Sequence, residues 1–408
     1  MNKHTRALVG AAALAMVLSA PSLELFALGF RNPDQGAAAT AQGNAFVAQA
    51  DDPTAIYYNP AGLTQIHGTE IANGGDFSFP DARLKGGGPG TEMTKWSLTP
   101  HLYGTTDFGI PKSPWRFGIG VNVPFGSEAA YSQNGPFRYT LTSASLRVIN
   151  IQPTVAYKFN DQFSLGAGLN VYDVSTGLNG HRATPFMPAN DTRFHFDGNG
   201  LAEGATAGLL WKITPRNTVG IAYHSPFTVN YHGTVDVKVP GVLRQENVAT
   251  ASMPFPQTVA WGYAFRPIPQ WKLEADMEWT NWKPLRELTL QAPGSQADGS
   301  KVPFNWTDSF LYEVGTQYDL NKRWKLRAGY IFSENSTPGK TFSPATPDSD
   351  RHVFNVGFGY STKRMFVDVL YQYTVAADRT VNNDVNPAVD GTWLINNNAV
   401  MMTSGLRF

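Results

Sequence analysis

The stretch Trp271–Thr280, WKLEADMEWT, alternates apolar side chains with charged ones. An alternation with a period of two residues predicts a β-strand that has one apolar face and one charged face. In a soluble β-sandwich the charges would face water and the apolar side chains would face a second sheet. In an outer-membrane β-barrel the apolar side chains face lipid and the charges face the lumen. The rest of the chain decides between these two folds.

The same alternation recurs from residue 67 to the end of the chain and predicts about fourteen strands. We place them near residues 67–80, 95–107, 115–126, 138–158, 162–177, 199–213, 217–236, 252–266, 269–292, 309–320, 322–334, 350–361, 363–376 and 397–408. Tight turns such as DLNK at 319–322 alternate with long loops such as 335–349. Short turns at one end and long loops at the other are typical of bacterial outer-membrane barrels. The sequence therefore predicts an all-β fold, a transmembrane antiparallel β-barrel of about 14 strands over residues 67–408.

The composition excludes several classes of protein. The formal net charge is +0 and only 16% of the residues are charged, so no basic face is available to bind nucleic acid. The absence of cysteine excludes disulfides, a thiol nucleophile and cysteine-bound zinc. No window after the first segment offers roughly 18 consecutive apolar residues, which excludes a helical membrane protein.

The sequence also lacks the signatures of common catalytic sites. It contains no G-x-S-x-G, H-E-x-x-H or Walker motif, so an outer-membrane lipase or protease has little support. His195, Asp197 and Asn199 resemble a fragment of a cation site, but the distal Glu of a calcium loop is missing. We therefore expect no enzymatic activity, no cofactor and no bound metal.

Both ends of the chain carry targeting features. Residues 1–27 read as a signal peptide, with a positive start that includes Lys3 and Arg6 and an apolar core over 7–20. Cleavage could follow Ala20 or Ala27, and we favour Ala27. At the other end Phe408 closes an amphipathic strand and looks like the signal that the outer-membrane barrel assembly machinery reads.

The segment 32–64 is the part before the barrel that reads as helical. Small and apolar residues at helical spacing predict a helix over 35–49. A shorter turn follows, with Asp52 as its cap, Pro53 at its first position and Asn59-Pro60 as its end. A barrel of this strand number is too wide for its own side chains to fill. We therefore expect residues 28–66 to form a hatch that plugs the lumen.

With this arrangement the chain resembles the FadL-type family of outer-membrane transporters for hydrophobic compounds, which includes long-chain fatty acid channels and aromatic-hydrocarbon channels. The resemblance rests on Gly29-Phe30, the helical segment around Ala45-Phe46, the pair Asp51-Asp52 and the motif Asn59-Pro60-Ala61. It implies a fourteen-stranded barrel that is closed by an N-terminal hatch.

The resemblance also implies roles for particular residues. It implies that N-terminal residues, here Phe30 and Phe46, contact the ligand. The implied gating residues of the hatch are Asp51, Asp52, Asn59, Pro60 and Ala61. The family has an inward kink in its third strand that opens a lateral hole, and the matching residues here are Pro124, Phe125 and Gly126. Proline removes a backbone donor and glycine weakens a strand, as such a kink requires.

The resemblance implies transport of hydrophobic molecules, with long-chain fatty acids ahead of aromatic hydrocarbons and a general diffusion porin as a more distant alternative. A porin would lack the hatch. Whether a basic residue holds a carboxylate stays open, because Lys325 and Arg327 lie just after a tight turn and look too low in the barrel. We expect a monomer that contacts outer-membrane lipid. The arginines near the outer loops are expected to contact lipopolysaccharide: Arg138, Arg147, Arg182, Arg193 and Arg244.

Overall fold

The computed structural model describes residues 29–94, 96–182 and 191–408. The proposed signal peptide lies outside these residues. Fourteen strands in the described part build the barrel: β1 Thr69–Leu84, β2 Ser97–Thr106, β3 Trp115–Ala130, β4 Ser143–Lys158, β5 Phe163–Arg182, β6 Thr192–Thr214, β7 Asn217–His224 continued by Phe227–Val239, β8 Leu243–Phe255 continued by Thr258–Ile268, β9 Trp271–Thr280, β10 Ser309–Asp319, β11 Trp324–Ser333, β12 Arg351–Ser361, β13 Met365–Ala376 and β14 Gly391–Arg407.

The sheet closes on itself. Each strand pairs antiparallel with its neighbours in sequence, and β14 pairs with β1 from Glu70 opposite Arg407 to Leu84 opposite Trp393. The interruptions in β7 and β8 lie side by side and contain Pro226 and Pro256, which have no N–H to donate to the ladder. The predicted antiparallel barrel of fourteen strands is confirmed.

The two faces of the wall follow the alternation in the sequence. Outward-facing aromatic side chains such as Trp271 (40% exposed) and Tyr312 (42% exposed) stay accessible on the surface that faces lipid. The charged side chains between them point into the lumen, where Glu274 is only 4% exposed. The assignment of the charges to the lumen face is therefore confirmed.

Residues 29–66 lie inside the barrel, and all of them are buried except Asp51, Asp52 and Gln65. This segment, called the hatch below, contains two short helices, α1 Ala37–Thr40 and α2 Ala55–Tyr58, and a 3₁₀ helix Pro60–Gln65. None of the described helices is long and apolar enough to cross a membrane.

The predicted helix over 35–49 is wrong beyond its first turn. Gly43 and Asn44 have φ angles of 64° and 58°, which end a right-handed helix. The N–H groups of residues 46–49 donate to carboxylates of the barrel wall instead of to helix carbonyls. Contacts with the wall therefore override the helix propensity of the alanines.

Some strand boundaries differ from the prediction. The strand predicted over 138–158 begins at Ser143, and the strand predicted over 269–292 ends at Thr280. The second difference arises because Trp282 and Leu285 turn inward and pack in the lumen. Short elements lie in the loops of the described chain: strands Glu92–Thr94, Glu287–Thr289, Lys301–Pro303 and Arg379–Val381, and 3₁₀ helices Gly339–Thr341 and Pro387–Val389.

Candidate functional site

The carboxylates of β9 hold the middle of the hatch. Asp276 accepts hydrogen bonds from the backbone N–H of Phe46 and Val47 at 2.9 and 2.8 Å. Two residues along the strand, Glu274 accepts from the N–H of Ala48 at 2.6 Å. Buried carboxylates require such partners, and buried backbone N–H groups require acceptors. Strand β9 of the barrel wall therefore also holds the hatch in place.

Ion pairs hold the two ends of the contact between β9 and the hatch. Arg31 donates two hydrogen bonds to Glu278, one of them from Nη2 to Oε2 at 2.7 Å. At the other end Lys272 donates to Asp51. All four inward charges of β9 thus bind hatch residues, because a period of two places them in one row.

Glycines in the wall allow the hatch to lie against the strands. A Cβ at Gly329 would overlap the backbone of Gln42 and Gly43, and a Cβ at Gly166 would overlap Pro60 and Ala61. The other wall glycines whose added Cβ would contact the hatch within 3.0 Å are Gly118, Gly120, Gly208, Gly220, Gly262, Gly315 and Gly357. They form a belt of small residues around the lumen, and we call this set, together with Gly166 and Gly329, the glycine belt.

Replacing Gly329 by Val should displace the hatch and raise the ion conductance of the purified barrel in planar bilayers. The added side chain meets backbone atoms, which cannot move aside as a flexible side chain can. Gly104→Ala is the matched control, since its Cβ would meet only Ile119, at 3.9 Å. Equal conductance of the two variants would contradict the close contact between hatch and wall.

The motif Asn59-Pro60-Ala61 lies between hatch and wall. The Asn59 amide donates to the carbonyl of Val47 in the hatch at 2.7 Å and to that of Leu209 in β6 at 3.0 Å. Its Oδ1 accepts from the N–H of Ala61 at 3.1 Å and so caps the 3₁₀ helix. A movement of the motif would therefore break contacts on both sides.

Asp51 and Asp52 lie at the end of the hatch near the tight turns and differ in charge state. The surrounding protein alone would raise the pKa of Asp51 by partial desolvation, but the pairing with Lys272 and the nearby Lys325 lower it below the usual value. Partial burial raises the pKa of Asp52 to about 6, and the charge of Asp51 adds to this effect against a hydrogen bond from Thr54. Asp51 therefore stays ionised at pH 5 to 7, whereas Asp52 takes up a proton there.

Lowering the pH from about 7 to about 5 should favour the seated hatch through Asp52. A raised pKa in the folded state means that the seated hatch binds the proton more tightly than the released one, so stability falls as the pH rises through about 6. Residual conductance should therefore be lower at pH 5 than at pH 7. Asp52→Asn should remove this difference, and Asp51→Asn should not. An unchanged pH response in Asp52→Asn would count against the assignment.

Strand β3 separates from β2 part-way along its length. Pairing between β2 and β3 ends at Leu102 opposite Val121 in the described residues. On the other side the ladder with β4 shifts register between Asn122 and Phe125, around Pro124. Residues 121–127 are buried, so this part of β3 turns into the lumen. The wall has a break in its hydrogen bonding at this position.

The first hatch residues bind the kinked part of β3 in place of β2. The N–H of Gly126 donates to the carbonyl of Phe30, and the N–H of Asn32 donates to the carbonyl of Pro124, both at 2.8 Å. Arg31 and Phe125 form an antiparallel bridge. The start of the hatch and the kink therefore form one hydrogen-bonded unit.

Above the hatch, aromatic rings surround Phe30. Its ring centroid lies 4.9 Å from that of Trp282, 5.0 Å from Trp306 and 5.5 Å from Phe255. Phe125 packs on the same group. We call Phe30, Phe125, Phe227, Phe255, Trp282 and Trp306 the aromatic cluster. It couples the hatch, the kink of β3 and the inward-folded loops.

A cavity of about 470 Å³ lies between this cluster and the long loops, and we call it the outer cavity. Phe30 forms part of its floor, and Ser127 of β3 lines it beside the kink. The large apolar residues of the lining include Leu141, Leu146, Leu178, Phe196, Tyr231, Met253, Leu288, Val302, Phe304 and Phe342. Lys301 also lines it, and its ammonium pairs with Glu287 at 2.7 Å. The cavity can therefore accept an apolar molecule that enters from the loops.

A sequence model of the family described as outer membrane protein transport protein (OMPP1/FadL/TodX) matches residues 19–408. The chain belongs to this family. The assignment agrees with a transporter in the outer membrane and not with an enzyme, as the sequence predicts.

Relatives of this OMPP1/FadL/TodX family member match over most of their length. A long-chain fatty acid transport protein of Salmonella typhi is 23% identical over 88% of this chain and 90% of the relative. A putative outer membrane protein of Neisseria meningitidis is 24% identical over 85% of this chain and 86% of the relative.

Solved structures share the fold at low identity. A Pseudomonas aeruginosa FadL homologue superposes with a TM-score of 0.84 at 20% identity, and the match covers 93% of this chain and 100% of that chain. The Ralstonia pickettii toluene transporter TbuX superposes with a TM-score of 0.72 at 17% identity, covering 92% and 99%.

The residues predicted for the site in this family member fall into separate places. Phe30 and Phe125 meet in the aromatic cluster, whereas Phe46 is buried inside the hatch beside Tyr58 and does not line the outer cavity. The sequence reasoning missed Trp282 and Trp306. Trp306 lies in the loop predicted between 292 and 309, and it was the available signal, since loops exposed to water rarely need such residues. Trp282 gave no such signal, because it lies within the strand predicted over 269–292.

Proposed function

We propose that the chain carries hydrophobic molecules through the outer membrane, with long-chain fatty acids ahead of aromatic hydrocarbons. The observation that supports this most is the outer cavity, which is mainly apolar and has the hatch residue Phe30 in its floor. A dry apolar cavity of about 150 Å³ is enough for benzene. A volume of about 470 Å³ therefore leaves room for a longer chain.

The relatives support both substrate classes. Curated relatives at 22–23% identity are named long-chain fatty acid transport proteins, and structural neighbours are titled toluene transporters. Apolar walls can bind either class, because each methylene group that is removed from water contributes about 0.8 kcal/mol to binding. A general diffusion porin fits less well, because the hatch fills the lumen between the loops and the tight turns.

We place ligand contact at Phe30 and assign Phe46 to packing within the hatch. A ligand that displaces the Phe30 ring would strain the hydrogen bonds between residues 30–32 and the kink. Release of these bonds would free the part of β3 that is not paired with β2, and a hydrophobic molecule could leave sideways between these strands. The gating role of Asp51, Asp52 and Asn59-Pro60-Ala61 rests on their contacts with the wall.

We also propose the division of the chain into a signal peptide over 1–27, a hatch over 28–66 and a barrel over 67–408. In the same proposal the protein is a monomer, and the assembly machinery recognises its C-terminal strand, which ends in Phe408. Contact with lipopolysaccharide is assigned to the outer arginines. Among them Arg193 and Arg244 are exposed, whereas Arg138 pairs with Asp191. The Arg182 side chain lies outside the described part.

Calorimetric titration of the purified barrel tests the proposal. Oleate and toluene should bind, oleate more tightly, and maltose should not. Phe30→Ala should weaken oleate binding roughly tenfold or more, since a buried Phe contributes about 1.5–3 kcal/mol. Phe46→Leu is the control and should bind oleate as the wild type does. Binding of maltose without binding of either apolar compound would contradict the proposal.

A further inference from the structure

The tight turns that follow β6, β8, β10 and β12 carry a row of exposed basic residues. The segments 214–217, 266–271, 319–324 and 361–365 contain six basic residues and one acidic residue, Asp319. All six basic residues are exposed, and we call them the basic rim: Arg216, Arg266, Lys322, Arg323, Lys363 and Arg364. The chain as a whole has a formal net charge of +0, so this concentration of positive charge is local.

Backbone hydrogen bonds hold the turns of the basic rim side by side. The N–H of Arg266 donates to the carbonyl of Arg216 at 2.8 Å. The N–H of Ser361 donates to the carbonyl of Arg323, also at 2.8 Å, and the turn of Asp319 is joined to the preceding turn in the same way. Successive turns are roughly 10 Å apart, because two strand spacings separate them. The basic rim is therefore a continuous row along the edge of the barrel.

The protein does not neutralise this row. Within residues 29–94, 96–182 and 191–408, none of the six rim side chains forms an ion pair with an acidic side chain. Several exposed basic residues at the loop end do have such partners, as Lys283 has in Asp308 at 2.8 Å. Like charges in a row repel one another, so a layer of negative charge outside the protein would stabilise the rim.

The basic rim lies at the depth of the lipid headgroups. Aromatic side chains face outward at the adjoining strand ends: Trp211, Tyr263, Trp271, Tyr318 and Trp324. Short turns of bacterial barrels lie on the periplasmic side, and aromatic girdles mark the interfaces of the membrane. Basic side chains a few residues beyond such a girdle reach the headgroups of the inner leaflet, because their long stems can lie along apolar surface.

We propose that the basic rim binds anionic phospholipids, such as phosphatidylglycerol, in the inner leaflet of the outer membrane. A row that follows the perimeter at one depth matches the surface of a leaflet, whereas a single protein partner would need one compact patch. Clusters of lysine and arginine beside membrane-spanning segments attract anionic lipid in this way. The inference goes beyond the proposed transport and holds whichever hydrophobic molecule the barrel carries.

Quenching of tryptophan fluorescence by brominated lipid tests this proposal, because Trp271 and Trp324 lie beside the rim. The purified barrel is reconstituted into phosphatidylcholine vesicles that contain either brominated phosphatidylglycerol or brominated phosphatidylcholine. Phosphatidylglycerol should be preferred about fivefold or more, the effect of about one basic residue at a membrane surface. The preference should fall when the salt concentration is raised from about 0.1 M to about 1 M, because salt screens exposed charges.

Replacing four rim residues on neighbouring turns by glutamine should lower the preference to roughly twofold or less. The changes are Lys322→Gln, Arg323→Gln, Lys363→Gln and Arg364→Gln. The matched control removes four exposed charges at the loop end and should keep the preference of the wild type: Lys85→Gln, Arg244→Gln, Lys283→Gln and Lys340→Gln. Heat-modifiable mobility on gels shows that each barrel has folded.

An unchanged preference in the rim variant would overturn the proposal. Equal quenching of the wild type by the two brominated lipids would also overturn it, and this measurement needs no variant to fold. Soluble polyglutamate provides the test of an acidic protein as the partner. Binding of polyglutamate that is lost in the rim variant, without a preference for phosphatidylglycerol in the wild type, would assign the rim to such a protein and overturn lipid binding.

Discussion

Deletion of residues 32–64 should raise the conductance of the barrel to small ions by roughly tenfold or more, because a lumen of this strand number then contains only water. In the intact chain these residues are almost entirely buried, and three charged side chains of β9 bind them: Lys272, Glu274 and Asp276. Without the hatch those charges would be hydrated, so the strand ladder should persist. Cells with the deletion barrel should also become more sensitive to polar antibiotics.

Bilayer recordings and antibiotic susceptibility check this prediction, with heat-modifiable mobility on gels as the test that the barrel has folded. The Gly104→Ala variant again serves as the control, because it changes the wall without touching the hatch. Equal conductance of the folded deletion barrel and the intact barrel would show that the hatch does not close the lumen.

Replacing Pro124 and Gly126 together by Val should lower uptake of oleate by roughly tenfold or more, if the kink of β3 gates a lateral route. Valine at 124 restores a backbone donor, and valine at 126 favours an extended strand. The space around Gly126 admits a side chain, since its Cβ would meet the nearest atom, the carbonyl oxygen of Leu146, at 3.5 Å. β3 could then continue its pairing with β2.

The measurement is uptake of radiolabelled oleate by cells with equal amounts of each barrel in the outer membrane. Ile119→Val is the matched control, because this residue is in the paired part of the same strand and faces outward. Unchanged uptake in the double variant would remove the lateral route, whereas loss of the barrel from the membrane would be seen in the amount of protein.

The barrel follows from the sequence because each wall strand faces lipid on one side and the lumen on the other. The alternation in Trp271–Thr280 reports both environments, and it places Lys272, Glu274, Asp276 and Glu278 in one inward row. Sequence reasoning could assign that row to the seating of a hatch, since charges in a lumen need partners or water. The partners themselves are not visible in the sequence.

The internal structure of the hatch could not be predicted from local propensity. The alanine-rich segment 35–49 has good helix formers, but the wall supplies acceptors for its N–H groups through Glu274 and Asp276. A helix is then no longer the only way to satisfy the backbone. The position of these carboxylates depends on strands more than 200 residues away, so no local window contains the information.

The outer cavity could not be predicted from the sequence either, because it forms where several loops converge. Trp282 and Trp306 come from outside the strands, and their contact with Phe30 requires the whole barrel to be closed. The glycine belt is the feature that sequence reasoning could have found. Glycines such as Gly315 and Gly329 lie opposite each other on the inward face, where they indicate close approach of another backbone.

Uptake of radiolabelled oleate tests the central claim most directly, in a host that lacks its own fatty acid transporter and expresses this chain in its outer membrane. Toluene and maltose provide the comparison for an aromatic hydrocarbon and a polar solute. The account predicts that the chain restores oleate uptake, supports toluene uptake more weakly and leaves maltose uptake at the level of the empty host. Entry of maltose without uptake of oleate or toluene would contradict it, because the chain would then act as an open porin.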